Sequence, residues 1–196
     1  MSSSTVNRPL PIAGVAKHWT YEEYYRLTPE SHAERYEIDN GELVPMPAPG
    51  TTHQRIIMQL AQAMNSFTEK HDLGEVFISP LDVIFNDDNT AQPDLLFIAK
   101  LRKEIVQNRG IFGVPDLVVE VLSPSSTRRD RQEKSTKYLR FMVQEYWLVN
   151  PAERSIEVRI SRDDHWAVHS LARNTGSVES LVLPGFMVDL PQVFAE

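Results

Sequence analysis

The feature that most constrains this chain is the run Leu117-Val118-Val119-Glu120-Val121-Leu122, apolar on both alternating faces except at Glu120. A strand without a polar face belongs in the middle of a sheet covered on both sides. An ionised carboxylate in such a strand is costly unless hydrogen-bond donors or a cation meet it. Asp94 poses the same problem. It follows Pro93, which a strand tolerates at its first position, and it opens Leu95-Leu96-Phe97-Ile98. Two strands thus each bring one carboxylate to a buried edge.

The elements around them follow from local signals. His18 to Leu27 reads as a short helix, with Thr20 as its cap and Glu22 and Glu23 in its first turn. Arg35 to Ile38 and Glu42 to Met46 flank Asp39-Asn40-Gly41, and Asn-Gly between two such runs is a strong hairpin signal. Thr51 to His71 carries Ile56, Ile57, Leu60, Met64 and Phe67 at helical spacing, which predicts a long amphipathic helix. Glu75 to Ser79, Leu81 to Phe85 and Asp94 to Ala99 are strand-like, with Asn86 to Asn89 turning between the second and third.

Beyond Glu120, Thr127 to Val143 reads as a helix and Tyr146 to Asn150 as a strand. Ser155 to Ile160, Trp166 to Val168 and Leu181 to Leu183 read as further strands. The expected fold class is α/β: a mixed central sheet flanked by helices, with a β-rich C-terminal extension. Residues 1–17, with serines and two prolines after Met1, read as a loose tail, and 18–196 as a single domain. That segment lacks the pattern of a secretory signal, and no run reaches the roughly 18–20 apolar residues of a membrane helix. With no cysteine, thiolate metal sites and disulfides are ruled out. A cytoplasmic location is expected.

The helix after Glu120 supplies the cation. Thr127 and Asp130 have capping-box spacing. Positions 130, 134, 137, 138 and 141 share one face, where Tyr138 and Phe141 are natural core residues, so Asp130, Lys134 and Lys137 extend the inward stripe. Two acids and a lysine around one spot suit phosphodiester hydrolysis, the acids holding a divalent ion and the lysine orienting water or balancing charge. Each residue also has a structural reading. Glu120 could pair with Arg128 or Lys134, Asp94 could initiate a strand, Asp130 and Lys134 could form a helix-surface pair, and Lys137 could snorkel to solvent.

Taken together, Pro93-Asp94 followed by Glu120 on the next hydrophobic strand resembles the PD-(D/E)XK pattern of restriction endonuclease-like nucleases. The wider sequence resembles the Uma-type family of putative restriction endonucleases. The matching stretches are Tyr36 to Leu43, His53, Gln92 to Leu95, Val119 to Ser126, Arg129-Asp130 through Lys134 to Tyr138, and Glu145 to Val149. The resemblance implies the restriction endonuclease-like core, with Asp94 and Glu120 as metal ligands. Glu37, Glu42 and His53 look like rim residues in that family, against the simpler reading of solvated strand acids and a capping or packing histidine; Glu42 fits the simpler one. The pattern expects a lysine two residues after the second acid, where this chain has Leu122. Lys134 is the candidate for a migrated lysine, with Lys137 in reserve.

The expected function is a Mg2+- or Mn2+-dependent endonuclease hydrolysing DNA, with RNA kept open as substrate. Its catalytic set is Asp94, Glu120 and Lys134, with Glu37, His53, Asp130, Lys137 and Tyr138 at the rim. The rival is a catalytically impaired nuclease-like module that binds DNA or protein; a metal-dependent hydrolase of another substrate is a third class. A net charge of -7 repels polyanions, so DNA contact needs the cation or a local basic surface. Arg128, Arg129, Arg131, Lys134, Lys137 and Arg140 could form that surface, with Lys100, Arg102 and Lys103. A homodimer would suit double-strand cutting, though no sequence feature demands one.

Overall fold

The computed structural model describes residues 17–27, 35–123 and 130–195, and the side chains of all these except Asp130 and Arg131. The expected tail up to residue 16, the Thr127 cap, Arg128 and Arg129 lie outside the described residues. The side chains of Asp130 and Arg131 do as well.

The chain opens with α1 (Tyr21–Leu27), whose start is a reciprocal capping box. The Glu23 N–H donates to Thr20 Oγ1 at 3.3 Å, and the Thr20 N–H donates to Glu23 Oε2 at 3.1 Å. The hairpin β1 (Arg35–Asp39) and β2 (Glu42–Met46) pairs Asp39 with Glu42 across Asn40-Gly41. Both turn residues take positive φ, 49° and 79°, as a two-residue hairpin of matching twist requires. A Cβ on Gly41 would lie 2.1 Å from the His18 ring, which would have to move, and the positive φ itself favours glycine. Helix α2 (Thr51–His71) follows and buries Ile56, Ile57, Leu60 and Met64.

Six strands form the central sheet: β3 (Gly74–Ile78), β6 (Leu95–Ala99), β9 (Leu117–Val121), β10 (Glu145–Asn150), β11 (Ser155–Arg162) and β12 (His165–Arg173). Their order is β12-β11-β10-β9-β6-β3, with β9 and β10 parallel and every other pair antiparallel. As predicted, β9 sits centrally and all five of its residues are buried. Its side chains alternate between two cores. Leu117, Val119 and Val121 join α2 and the C-terminal segment, while Val118 and Leu122 join Tyr138 on the opposite face. The pleat therefore turns Glu120 toward the face that carries Tyr138.

A second, four-stranded sheet has the order β5-β4-β8-β7 and consists of β4 (Val83–Asn86), β5 (Asn89–Ala91), β7 (Val106–Gln107) and β8 (Gly110–Phe112). The acidic turn after Asn86 leads into β5 within this small sheet, not directly into β6 as expected. After β9, Asp130–Lys134 forms a π-type turn that passes into α3 (Ser135–Arg140), so the described part of the expected helix ends at Arg140.

Leu181 to Leu183 is not a strand. The strands of that region are β13 (Ser177–Glu179) and β14 (Met187–Asp189), followed by a short helix at Leu190–Val193. The cause is Glu145, fully buried at the start of β10. Its carboxylate accepts from Trp147 Nε1 and Ser180 Oγ, both at 2.6 Å, and from the backbone N–H groups of Leu181 and Val182 at 2.6 and 2.9 Å. Those N–H groups are thereby taken from any neighbouring strand. Replacing Glu145 with Ala strands two buried donors, Trp147 Nε1 and Ser180 Oγ, and two partly buried N–H groups, and urea unfolding should show a loss of about 3 kcal/mol or more. A loss under about 1 kcal/mol would mean that the segment finds other acceptors.

Candidate active site

The sequence-selected residues converge where β1, β6, β9, the start of α2 and the π-type turn meet. Lys134, 4% exposed, donates to both oxygens of Glu120, at 2.9 and 2.8 Å, and lies 3.5 Å from Glu37. Tyr138 Oη donates to Glu120 Oε1 at 2.5 Å. The inward stripe is therefore real for Lys134, Lys137 and Tyr138. Of the two partners considered for Glu120, Lys134 is in place.

Glu37 is fully buried, so it is not a solvated strand acid. It accepts the Gln92 N–H at 3.0 Å and stands between the two lysines, 3.9 Å from Lys137. Glu42 is exposed and takes no part. Lys137 is buried and does not snorkel: its ammonium donates to the carbonyls of Ile38 and Thr90 at 3.3 and 3.0 Å and pairs with Asp39 at 3.1 Å. It ties the hairpin to the small sheet, whereas Lys134 meets the acid of β9.

Asp94 lies just before β6. Its Oδ2 accepts the Val121 N–H at 2.8 Å and faces His53 Nε2 at 3.0 Å. The proline-rich entry to α2 sets His53 in the first helical turn, beside the acid. Asp94, Glu120, Lys134 and His53 all line one cavity of about 60 Å³, together with Arg35 and Gln92. Neither was given a site role from the sequence, although Gln92 opens one of the stretches that carry the resemblance. Gln92 carried a signal, since it immediately precedes Pro93-Asp94, but Arg35 at the outer end of a hairpin strand carried none. A wider depression of about 300 Å³ between α1 and the small sheet lies elsewhere and holds none of these acids. Its arginine, Arg109, is engaged by Glu22 at 2.9 Å.

Among the described residues, no three His, Asp or Glu side chains converge on a point that could hold a metal ion. The cavity is instead lined by two carboxylates and by Gln92, whose Oε1 is a buried amide oxygen with no hydrogen-bond partner. Hard oxygen donors of this kind suit Mg2+ or Mn2+, which need only one or two protein carboxylates and keep several waters.

Of the basic residues expected to form a surface beside the site, Lys134 and Lys137 are buried, while Lys100, Lys103 and Arg140 are exposed and Arg102 is half-buried. Lys134 and Lys137 face carboxylates, Arg102 donates to Asp116 at 2.8 Å, and Lys100 pairs with Asp72. Arg140 is exposed but donates to the Oδ1 atoms of Asn40 and Asn89. Arg35, on the cavity wall, donates to Ser79 Oγ at 3.3 Å.

Burial, reinforced by the charges of Glu120 and Glu37, holds the Tyr138 hydroxyl well above its ordinary value near 10. The folded state therefore favours the neutral phenol. Its contribution is complete below about pH 10 and is lost as pH rises toward the folded value. Tyr21 and Tyr24, also raised by burial, add to the same slope. Tyr138→Phe should flatten the alkaline fall in melting temperature; an unchanged slope would mean that Tyr138 ionises freely in the fold.

The Uma2 family model, described as a putative restriction endonuclease, matches residues 21–191. An uncharacterized protein of Synechocystis sp. is 24% identical over 171 residues, covering 86% of this chain and 96% of its own length. A second uncharacterized Synechocystis protein is 29% identical over 144 residues, covering 72% and 74%. The fold also matches the crystal structure of a putative nuclease of the DUF820 group from Anabaena variabilis. That match has a TM-score of 0.72 at 20% identity and covers 90% of this chain and 97% of the other.

Proposed function

This chain belongs to the Uma2 family of putative restriction endonucleases, and from that premise we propose that it is a Mg2+- or Mn2+-dependent endonuclease hydrolysing DNA. The observation that carries the proposal is the single cavity lined by Asp94, Glu120 and Lys134. Asp94 and Glu120 would hold the cation. When bound, the cation polarises the scissile phosphate and makes a water acidic enough to attack near neutral pH.

The chain's own groups do the rest. The Val121 N–H and His53 fix Asp94, while Lys134 and Tyr138 fix Glu120, so neither acid is free to swing. Acids held this way would keep the cation in place without reorganising during the reaction. In hydrolysis the water oxygen bonds to phosphorus as the sugar oxygen departs, and negative charge grows on the phosphoryl oxygens. Lys134 at the cavity wall can donate to those oxygens or to the attacking water. Arg35 supplies a second cationic donor on the same wall.

The test is plasmid nicking by purified protein. Cleavage should require Mg2+ or Mn2+, stop with chelator, and fall at least 100-fold in Asp94→Ala and in Glu120→Ala. DNA binding without cleavage under any divalent ion would favour the rival module, for which Leu122 at the usual lysine position is the motivating observation. Cleavage that survives both substitutions would rule out this cavity.

The two lysines should separate. Lys134→Met should reduce cleavage far more than Lys137→Met, each assayed where its melting curve shows it folded, because only Lys134 reaches Glu120. Equal losses would return Lys137 to candidacy.

A further inference from the structure

We propose that Gln92 is a third protein oxygen donor to the divalent cation, its Oε1 binding the ion alongside Asp94 and Glu120; this rests on reading that cavity as a metal site. Gln92 precedes Pro93-Asp94 and is only 7% exposed. Two contacts fix its orientation. Its backbone N–H donates to Glu37 Oε1 at 3.0 Å, and its side-chain Nε2 donates to Asp82 Oδ1 at 2.8 Å. Rotating the amide by half a turn would press Oε1 against the Asp82 carboxylate, acceptor to acceptor, so the assignment of O and N follows from Asp82.

Oε1 is then a buried carbonyl-type oxygen with no hydrogen-bond partner. A fold rarely leaves a buried acceptor in that condition unless something outside the chain meets it. The residue lines the same cavity as Asp94 and Glu120. At about 60 Å³ the space is enough for a cation with some of its waters.

A cation is the better match for the chemistry. Mg2+ and Mn2+ select oxygen, and an amide whose Nε2 is tied to the Asp82 carboxylate is a stiff donor. His53 Nδ1 is also buried and without a partner, but it is a nitrogen, and the other ring nitrogen already faces Asp94. Asp82 thus aims Gln92 as Lys134 aims Glu120.

The experiment measures Mn2+ binding directly, by electron paramagnetic resonance of free Mn2+ and by calorimetry, without DNA. Wild type is compared with Asp94→Ala, Gln92→Met and the double variant Asp82→Asn/Gln92→Glu. The double variant exchanges donor and acceptor, keeps the hydrogen bond between the two positions and turns a carboxylate oxygen to the cavity. Gln92→Met should weaken Mn2+ binding tenfold or more. The double variant should tighten it and enlarge the rise in melting temperature that Mn2+ produces.

A purely structural Gln92 would lower the metal-free melting temperature in both variants and leave Mn2+ affinity unchanged, overturning the proposal. If Gln92→Met does not fold, the double variant decides, and unchanged or weaker affinity there overturns it. Should Asp94→Ala lose Mn2+ while both Gln92 variants bind as wild type does, Gln92 contacts at most a water and the metal reading stands without it. A wild type that binds no Mn2+ would overturn both.

Discussion

The buried contact between Lys134 and Glu120 is the interaction on which the rest of the site depends. Both groups are nearly inaccessible, and each would be expensive alone beside a core that includes Val118, Leu122 and Tyr146. Together they join a central strand to the turn that leads into α3. Glu37 extends the contact to the hairpin, and Lys137 carries it on to the carbonyls of Ile38 and Thr90. A network of this kind adds little net stability over a well-packed apolar core, because desolvation offsets most of its attraction. What it fixes is geometry: three separate chain segments are held so that Glu120 faces the cavity shared with Asp94.

That role explains which parts of the site were legible in the sequence. Glu120 stood out because a carboxylate broke an otherwise apolar strand, and Lys134 because a helical period put it on the Tyr138 face. Asn40-Gly41 dictated the hairpin through backbone conformation alone. Each of these signals is local. The burial of Glu37 is not local, since it depends on Gln92 and two lysines from distant segments approaching one point. The orientation of Gln92 is set by Asp82, which belongs to the loop before the small sheet.

Apart from β4, which overlaps the strand read at Leu81 to Phe85, the small sheet was missed for a related reason. Its strands have two to four residues, too few to show a period, and β4 pairs in parallel with β8, far along the chain. Leu181 to Leu183 misled in the opposite sense. Its apolar character imitates a strand, but a single buried acceptor, Glu145, claims the N–H groups a strand would need. Periodicity reports what a segment can bury. It does not report where its backbone hydrogen bonds go.

The missing motif lysine has the same logic at the level of three dimensions. Position 122 shares a face with Glu120, two residues along one strand, so a lysine there would deliver its ammonium from the sheet. Leu122 fills that place with 4% exposure and packs in the core beneath α3. Lys134 delivers the ammonium from the opposite side of the layer and reaches both oxygens of the same acid. Chemistry at a phosphate depends on where the charge sits and how firmly it is held, not on which element carries it. With the ammonium supplied from a turn, the strand is wholly apolar apart from Glu120. It also couples the charge at Glu120 to the seating of α3 against the sheet, through Tyr138 on the same carboxylate.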